Sequence, residues 1–189
     1  MADTIKVFAI CGSLRKGSYN RMALKVAAEN LPSGMVLDQY DRLGEIPPYN
    51  EDIRQQGFPA VIEDLRRRIK AADGLLFVTP EYNYSMSGVL KNAIDWASRP
   101  PDQPFAGKPV AMMGASMSLF GTCRAQYHLR QTCVYLDMIP LNKPEVMIPQ
   151  AQNKFDAQGH LTDAASLKFI QELMVALAAW IRRLKASAR

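Results

Sequence analysis

The sequence predicts an α/β protein, a three-layer sandwich in which a five-stranded parallel β-sheet lies between two layers of helices. Short apolar runs alternate five times with segments whose apolar residues recur at helical spacing. Such alternation is typical of a parallel sheet built with right-handed crossovers. No repeat or linker interrupts the alternation, so we expect residues 1–189 to form a single domain.

The five strands are predicted from short, mostly apolar runs, of which Leu75 to Val78 is unbroken, and such runs are typical of parallel strands covered on both faces. In chain order the predicted strands are Ile5 to Cys11, Met35 to Tyr40, Leu75 to Val78, Pro109 to Ala115, and a fifth somewhere within Ile139 to Ile148. A five-stranded sheet of this kind has the order 2-1-3-4-5, in which strands 1 and 3 are neighbours.

The five helices are predicted from apolar stripes. They are Asn20 to Glu29, opened by Ser18, then Val61 to Ala72, Val89 to Ala97, Ala125 to Leu136, and Leu167 to Leu184. Ser87 is the predicted N-cap of the third helix, and Pro100 with Pro101 ends it. The polar segments Leu43 to Pro59 and Gln150 to His160 are predicted to be loops.

Composition favours a reduced, cytoplasmic protein over a secreted or membrane protein. The N-terminus lacks the basic start and apolar stretch of a signal peptide, and the longest apolar run, Leu173 to Ile181, is too short for a membrane span. Cys11, Cys123 and Cys133 form no CxxC spacing, and the chain has two His, so we expect neither a disulfide framework nor a metal site.

The net charge of +5 raises the question of nucleic-acid binding. The basic runs at residues 66–68 and 182–183 fall on the polar sides of amphipathic helices, with no aromatic residues among them. Solvated helix faces explain such runs, so no nucleic-acid partner is predicted.

The first informative loop, Gly12 to Asn20, follows strand 1 and leads into a helix. Gly12 and Gly17 have the spacing of a P-loop, but Ser18 and Tyr19 stand where that motif needs Lys and Ser/Thr. A Rossmann Gly-x-Gly-x-x-Gly is also missing from the sequence. An anion site at a helix N-terminus remains, and it suits a phosphate monoester; taken alone, the loop is equally compatible with a Gly/Ser turn. Its side-chain donors are Ser13, Arg15, Ser18 and Asn20.

The second informative loop, Pro80 to Ser85, follows strand 3. Tyr82, Asn83 and Tyr84 make it rich in aromatic and amide groups, which suit the edge and faces of a flat polar ring. Taken alone, it is also compatible with a tyrosine-rich surface turn. Because both loops leave neighbouring strands at one switch point, together they predict a site for flavin mononucleotide (FMN).

At these residues the chain resembles the NADPH-dependent FMN reductase family, and within it the bacterial chromate/quinone reductase branch. The resemblance rests on Gly12 to Asn20, Thr79 to Pro100, and Arg124 to Gln131, and it covers nearly the whole chain. It implies a flavodoxin-like fold, non-covalent FMN, NADPH or NADH as co-substrate, and a homodimer or homotetramer.

The resemblance also implies site residues by position. Ser13, Arg15, Ser18 and Asn20, with Tyr19 among them, would hold the phosphate. Pro80, Glu81, Tyr82 and Asn83 would hold the isoalloxazine, with Tyr84 and Ser85 on the same loop and Ser116 at the edge of the site. Two positions depart from the family's pattern: Ser87 stands where Pro is frequent, and Gly121-Thr122 stands where Gly-Gly is frequent.

An interface is expected near the mouth of the site. Arg and Tyr are favoured at interface cores, and Arg124 and Tyr127 come at a predicted helix start. Glu145, in the following strand region, could pair with Arg124 across subunits and place Tyr84 beside a neighbour. Packing within a single chain is the alternative.

The sequence therefore predicts an FMN-dependent NAD(P)H oxidoreductase. NADPH would reduce the flavin and leave before a quinone, chromate, an azo or nitro compound, or free flavin collects the electrons. The flavin carries the chemistry, so no catalytic acid, base or nucleophile is expected among the side chains. The alternatives are an electron carrier of the flavodoxin type and a flavin-free protein on the same scaffold.

Overall fold

The computed structural model describes residues 4–187 and confirms the predicted sheet order. The strands are β1 (Ile5–Cys11), β2 (Met35–Tyr40), β3 (Gly74–Val78), β4 (Glu81–Tyr82), β5 (Ser85–Met86), β6 (Pro109–Ala115), β7 (Ile139–Pro140) and β8 (Val146–Ile148). The main sheet has the order β2-β1-β3-β6-β7 with β8 also paired to β6, and all its pairings are parallel.

Helices cover both faces of this sheet. They are α1 (Tyr19–Glu29), α2 (Glu51–Gln55), α3 (Ala60–Ala71), α4 (Gly88–Ala97), α5 (Cys123–Tyr135) and α6 (Ala164–Ser187). One apolar core lies between the sheet and α1 with α6, and the other lies between the sheet and α3, α4 and α5. The fold is therefore the predicted three-layer sandwich.

The structure differs from the predicted elements in three places. The fifth strand is divided into β7 and β8, both paired to β6, with the cis peptide bond before Pro144 between them. Strands β4 and β5 form a small antiparallel hairpin that the sequence analysis did not predict. The predicted loops contain short helices: α2 and the 3₁₀ turn Leu43–Glu45 in the first, and the 3₁₀ turn Ala151–Asn153 in the second.

Helix α6 is 24 residues long and contains an 18-residue window with a mean hydropathy of 1.4, so by length and composition it could cross a membrane. Its apolar stripe is nevertheless buried against the sheet: Ile170, Leu173, Met174, Leu177 and Ile181 all belong to the core that also contains β1 and β6 residues. The helix therefore behaves as a core helix in this fold.

The sheet places the two polar loops side by side. Cys11, the last residue of β1, pairs with Val78, the last residue of β3, and the Gly12 N–H donates to the Val78 carbonyl over 2.8 Å. On the other side of β3, the Thr79 N–H donates to the Met113 carbonyl of β6. The loops after β1, β3 and β6 therefore open onto one edge of the sheet, where ligands of open α/β sheets bind.

Candidate functional site

A cleft of about 220 Å³ lies at the carboxyl ends of β1, β3 and β6. Its lining residues are Ser13, Arg15, Ser18, Tyr19, Asn20, Pro80, Glu81, Tyr82, Ala115, Ser116 and Met117. A larger cavity of about 550 Å³ lies between α4 and α5. We assign the cofactor to the smaller cleft, because that cleft combines the topological switch point with the N-terminus of α1.

The phosphate loop, residues 12–20, presents donors without competing anions. Ser18 is the N-cap of α1, and its hydroxyl accepts from the Arg21 N–H at 3.4 Å. Among the described residues, the Ser13 N–H donates to the Cys11 thiol, and no backbone N–H of residues 14–20 donates to a protein acceptor. The first turn of α1 contains no acidic residue. These N–H groups and the helix dipole are therefore available to a phosphate dianion.

Arg15 and Lys16 are exposed cations of the phosphate loop, and Arg15 lines the cleft. Its guanidinium donates to the Gly17 carbonyl and lies 5.7 Å from the centroid of the Tyr19 ring. The Arg15 side chain therefore lies against its own loop and lines the cleft. A guanidinium has five N–H donors, so it keeps free donors for a phosphate oxygen.

Asn20 has a different principal contact from the predicted one. Its Nδ2 donates to the Ala115 carbonyl and its Oδ1 accepts from the Ala115 N–H, both at 2.9 Å. The carboxamide thus joins the start of α1 to the end of β6. If Asn20 binds the phosphate as predicted, the donors would be its backbone N–H and the amide hydrogen that does not bond Ala115.

Arg21 is a residue that the sequence analysis missed. Its Nε donates to the Ser13 carbonyl at 3.1 Å, which holds the start of the phosphate loop against α1. Arg21 also lowers the pKa of the Cys11 thiol, but burial outweighs this effect and raises that pKa overall. The only sequence signal was its place in the first turn of α1, after the Ser18 cap.

The ring-side hairpin, residues 81–86, forms the other wall of the cleft. Tyr82 pairs with Ser85, and Asn83 and Tyr84 form a two-residue turn with φ values of 48° and 68°. Tyr82 lines the cleft, and both Tyr82 and Tyr84 are more than half exposed. The hairpin thus presents aromatic faces and backbone polar groups at the mouth of the cleft.

The Glu81 carboxylate binds the start of α5 rather than pointing a free oxygen at the cleft. Its Oε2 accepts from the N–H groups of Arg124 and Ala125 at 3.0 and 3.1 Å, and its Oε1 accepts from the Arg124 Nε. The side chain is only 6% exposed. A contact between Glu81 and the isoalloxazine would therefore come from its backbone.

The remaining predicted ring contacts lie in three places. Pro80 and Ser116 line the cleft, as predicted. Asn83 and Tyr84 lie at the exposed turn of the hairpin rather than among the lining residues. Ser85 faces the cavity between α4 and α5, where its hydroxyl lies 3.1 Å from Nδ1 of His128. Ser85 therefore lies outside the cleft lining, and its predicted cofactor contact stays a prediction.

The predicted interface residues have partners within the chain. Arg124 pairs with Glu81, and Glu145 pairs with Lys143 at 2.9 Å. The Arg124 guanidinium also lies 3.9 Å from the centroid of Tyr84. Partial burial lowers the pKa of Arg124, but its hydrogen bonds to Glu81 and Tyr84 leave that pKa above its usual value. Arg124 thus has a partner within its own chain, the predicted pairing of Arg124 with Glu145 across subunits stays a prediction, and Tyr127 is half exposed.

The two departures from the family's pattern are accommodated locally. The Ser87 hydroxyl accepts from the Leu90 N–H at 3.4 Å, which confirms the predicted N-cap of α4. Gly121 has a φ of 60° and lies against the backbone of Met147, so a side chain there would be strained. Thr122 is fully buried, and its hydroxyl accepts from the Gln126 amide at 3.0 Å.

The residues present fit FMN. The unpaired N–H groups of the phosphate loop, two buried serines and a helix N-terminus without acidic residues suit a phosphate monoester. The exposed tyrosines of the hairpin suit a planar ring. A nucleotide with a phosphate at one end and a flat ring at the other can contact both walls of the cleft.

Comparison with known proteins identifies the family. Residues 5–153 match the family model described as NADPH-dependent FMN reductase. The chain is 62% identical over 185 residues to the NAD(P)H-dependent FMN reductase of Pseudomonas aeruginosa, covering 98% of this chain and all of that one. It is 46% identical to the quinone reductase of Escherichia coli, with 98% of this chain and all of the relative covered.

A solved structure agrees with these sequence matches. The flavoenzyme NAD(P)H:(acceptor) oxidoreductase of Paracoccus denitrificans superposes with a TM-score of 0.85 at 34% identity, and the match covers 95% of this chain and 98% of that one. The resemblance stated from the sequence is thereby confirmed. The chain belongs to the NADPH-dependent FMN reductase family, a family of oxidoreductases.

Proposed function

We propose that this oxidoreductase, with FMN as cofactor and NAD(P)H as co-substrate, passes electrons from NADPH to quinones in two alternating half-reactions. The observation that carries the proposal is the cleft at the switch point, with anion donors at one wall and the ring-side hairpin at the other. When bound, FMN supplies the two-electron carrier, so the side chains are needed to bind and orient rather than to move protons.

The phosphate end of the cofactor is assigned to the loop after β1. Ser13, Arg15, Ser18, Tyr19 and Asn20 all line this part of the cleft. Their hydroxyls, guanidinium and backbone N–H groups would hold the phosphate. Charge-assisted hydrogen bonds from these groups neutralise a dianion without a metal ion. The Asn20 carboxamide holds β6 in place behind them.

The ring end is assigned to the loop after β3 and to Ser116. Pro80 and Tyr82 line the cleft, and the backbone of residues 80–83 offers donors and acceptors to the polar edge of the isoalloxazine. Asn83 and Tyr84 form the outer rim. The nicotinamide and the acceptor would both approach the ring from this open side.

Quinones are the acceptors that we favour, because relatives covering nearly the full chain bear quinone reductase names. A mouth made of exposed tyrosines offers faces and edges rather than buried polar groups matched to a single compound, and such a site rejects little. Chromate, azo and nitro compounds and free flavin are therefore included among the proposed acceptors.

Steady-state kinetics test the alternating mechanism. If NADP⁺ leaves before the acceptor binds, double-reciprocal plots of NADPH oxidation at several quinone concentrations should be parallel. Intersecting lines would mean that both substrates occupy the cleft together, and the alternating order would be wrong.

The same experiment separates the enzyme from a flavodoxin-type electron carrier, the second candidate. The basic net charge favours the enzyme, because carriers of that fold are expected to present an acidic face to basic partners. A carrier would bind FMN without steady oxidation of NADPH in the presence of quinone.

Assembly into a homodimer or homotetramer is part of the proposal. Arg124 lies over the exposed ring of Tyr84, and Tyr127, one turn further along α5, is half exposed. Arg and Tyr are favoured at interface cores. Glu145 of a neighbouring subunit would meet the guanidinium nitrogens of Arg124 that Glu81 does not use. Light scattering that shows a monomer at micromolar concentration would exclude a shared site.

A cytoplasmic location and a single domain over residues 1–189 complete the proposal. The location is supported by the cysteines, since Cys11, Cys123 and Cys133 are all free thiols. Burial raises the pKa of Cys133 to about 12, so that thiol stays protonated at neutral pH.

A further inference from the structure

We propose that Glu81 and Arg124 are positioning residues, which hold the ring-side hairpin against α5 and thereby set the affinity of the cleft for the isoalloxazine end of the cofactor. The inference rests on the proposed assignment of this hairpin to the ring. Neither residue needs to touch the cofactor through its side chain for this role.

The turn of the hairpin requires an external restraint. Asn83 and Tyr84 both have positive φ, as a two-residue hairpin turn demands. Glycine is favoured at the second position, because it reaches positive φ without a steric cost. Tyr84 stands there instead, and strained backbone of this kind persists only when surrounding contacts over-determine it.

Glu81 attaches the first strand of the hairpin to α5. Within the described residues, Thr122 at the N-cap position of α5 makes no side-chain capping bond, and the first turn contains no acidic residue. The Glu81 carboxylate takes over this capping role from a different element, accepting from the Arg124 and Ala125 N–H groups. The hairpin and the helix start are therefore joined by a nearly buried carboxylate.

Arg124 attaches the turn of the hairpin to α5. Its Nε donates to Glu81, and its guanidinium plane covers Tyr84 at 3.9 Å from the ring centroid, with Phe120 at 5.1 Å. A cation held this close to an aromatic face is attracted to it. Arg124 thus binds the strained residue and the anchoring carboxylate at the same time.

The two walls of the cleft are held by separate contacts. The phosphate loop is fixed through Asn20 to Ala115 and through Arg21 to Ser13, and neither pair involves the hairpin. Releasing the hairpin should therefore weaken binding of the ring end while the phosphate end is unaffected. Weaker binding of the ring end with unchanged binding of the phosphate end is a result that a general loss of stability would not produce.

The test compares FMN with riboflavin, which has the same ring without the phosphate. Holoenzyme loaded with either flavin is diluted, and the recovery of flavin fluorescence gives the dissociation constant. Arg124→Met should raise both constants by the same factor, about fivefold to thirtyfold. Arg15→Ala should raise the constant of FMN alone. Arg67→Met, which removes an exposed arginine paired with Asp64 on α3, is the matched control and should change neither.

A second variant tests the link to the strained turn. In a Tyr84→Gly background the turn adopts positive φ freely and the stacked ring is gone, so Arg124→Met should then change either constant by less than about threefold. Glu81→Gln, which keeps the shape and one acceptor oxygen, should lie between the wild type and Arg124→Met. If Arg124→Met does not fold, Arg124→Lys replaces it, with the same direction expected and a smaller factor.

Three results would overturn the positioning role. In Arg124→Met, the dissociation constants of both flavins could be unchanged, or only that of FMN could rise. The third result is a rise in Arg124→Met of the same size with Tyr84 and with Gly at that position. Failure of the wild-type protein to bind either flavin would instead overturn the proposed cofactor site. The two failures are therefore distinguishable.

Discussion

Arg15 provides the most direct test of a single side chain in the phosphate loop. If its guanidinium pairs with the FMN phosphate, Arg15→Ala should weaken FMN binding by about 1.5–3 kcal/mol, the range for hydrogen bonds to charged groups. Ser18→Ala should weaken it less, because a neutral donor is lost. Flavin fluorescence titration measures both, and an unchanged affinity in Arg15→Ala would remove Arg15 from the site.

Residue types in the two loops could be predicted, but their partners could not. The donors Ser13, Arg15 and Ser18 do line the cleft, because their positions follow from the end of β1. The carboxamide of Asn20 instead binds Ala115, which is 95 residues away in sequence. Glu81 likewise meets Arg124, 43 residues away. Local patterns contain no information about such long-range pairings.

At the scale of an element, Asp163 links the stability of α6 to pH. Its carboxylate accepts from the Ser166 N–H at 2.8 Å and from the Lys154 ammonium at 3.1 Å. The hydrogen bonds from Ser166 and then from Lys154 lower the pKa of Asp163 from 3.8 to about 2. Because the folded-state pKa is depressed, this stabilisation is present above about pH 4 and is lost as the pH falls toward 2.

Asp163 directly precedes α6 and accepts from the Ser166 N–H, so it is the N-cap of that helix. We therefore expect Asp163→Ala to lower the free energy of unfolding by about 1 kcal/mol at pH 7, the usual cost of losing a helix N-cap. The difference from the wild type should shrink as the pH falls from 4 to 2. Urea unfolding at several pH values measures it, with Asp41→Ala as the control on an 84% exposed carboxylate. A difference that stays constant with pH would contradict the assignment.

Gly114 tests the packing of β6 where that strand supports the site. A Cβ at this position would lie far inside van der Waals contact with the Thr79 carbonyl and the Thr122 hydroxyl. Gly114→Ala should therefore destabilise the fold by about 3 kcal/mol, as overpacking of a core does. Gly88→Ala, where a Cβ meets nothing within 4 Å among the described residues, should be tolerated in thermal unfolding. Equal stability of the two variants would contradict this packing.

Element prediction succeeded where the apolar pattern was long and failed where it was short. β1, β2 and β6 begin and end at the predicted residues, because each is a segment of six or seven residues with enough apolar side chains to show a pattern. The two-residue strands β4 and β5 are too short to show any alternation. The fifth strand is divided into β7 and β8, and the sequence from Ile139 to Ile148 contains no pattern that shows where the division falls.

At the scale of the whole molecule, function follows from where the sheet order reverses. β1 lies between β2 and β3, so the loops after β1 and β3 diverge to opposite faces and leave a crevice between them. The sequence predicted both the order and the crevice, because strand order in five-stranded folds of this kind is strongly restricted. It did not predict the contacts that join the hairpin to α5, since they form only after the layers pack.

The central claim is that NADPH reduces a flavin bound in this cleft before any acceptor is present. Anaerobic mixing of the purified holoenzyme with one equivalent of NADPH, followed by absorbance near the flavin maximum, tests it most directly. We predict complete loss of the oxidised-flavin absorbance without quinone, and its full return when quinone is added afterwards. Flavin that stays oxidised until quinone is present would contradict the account.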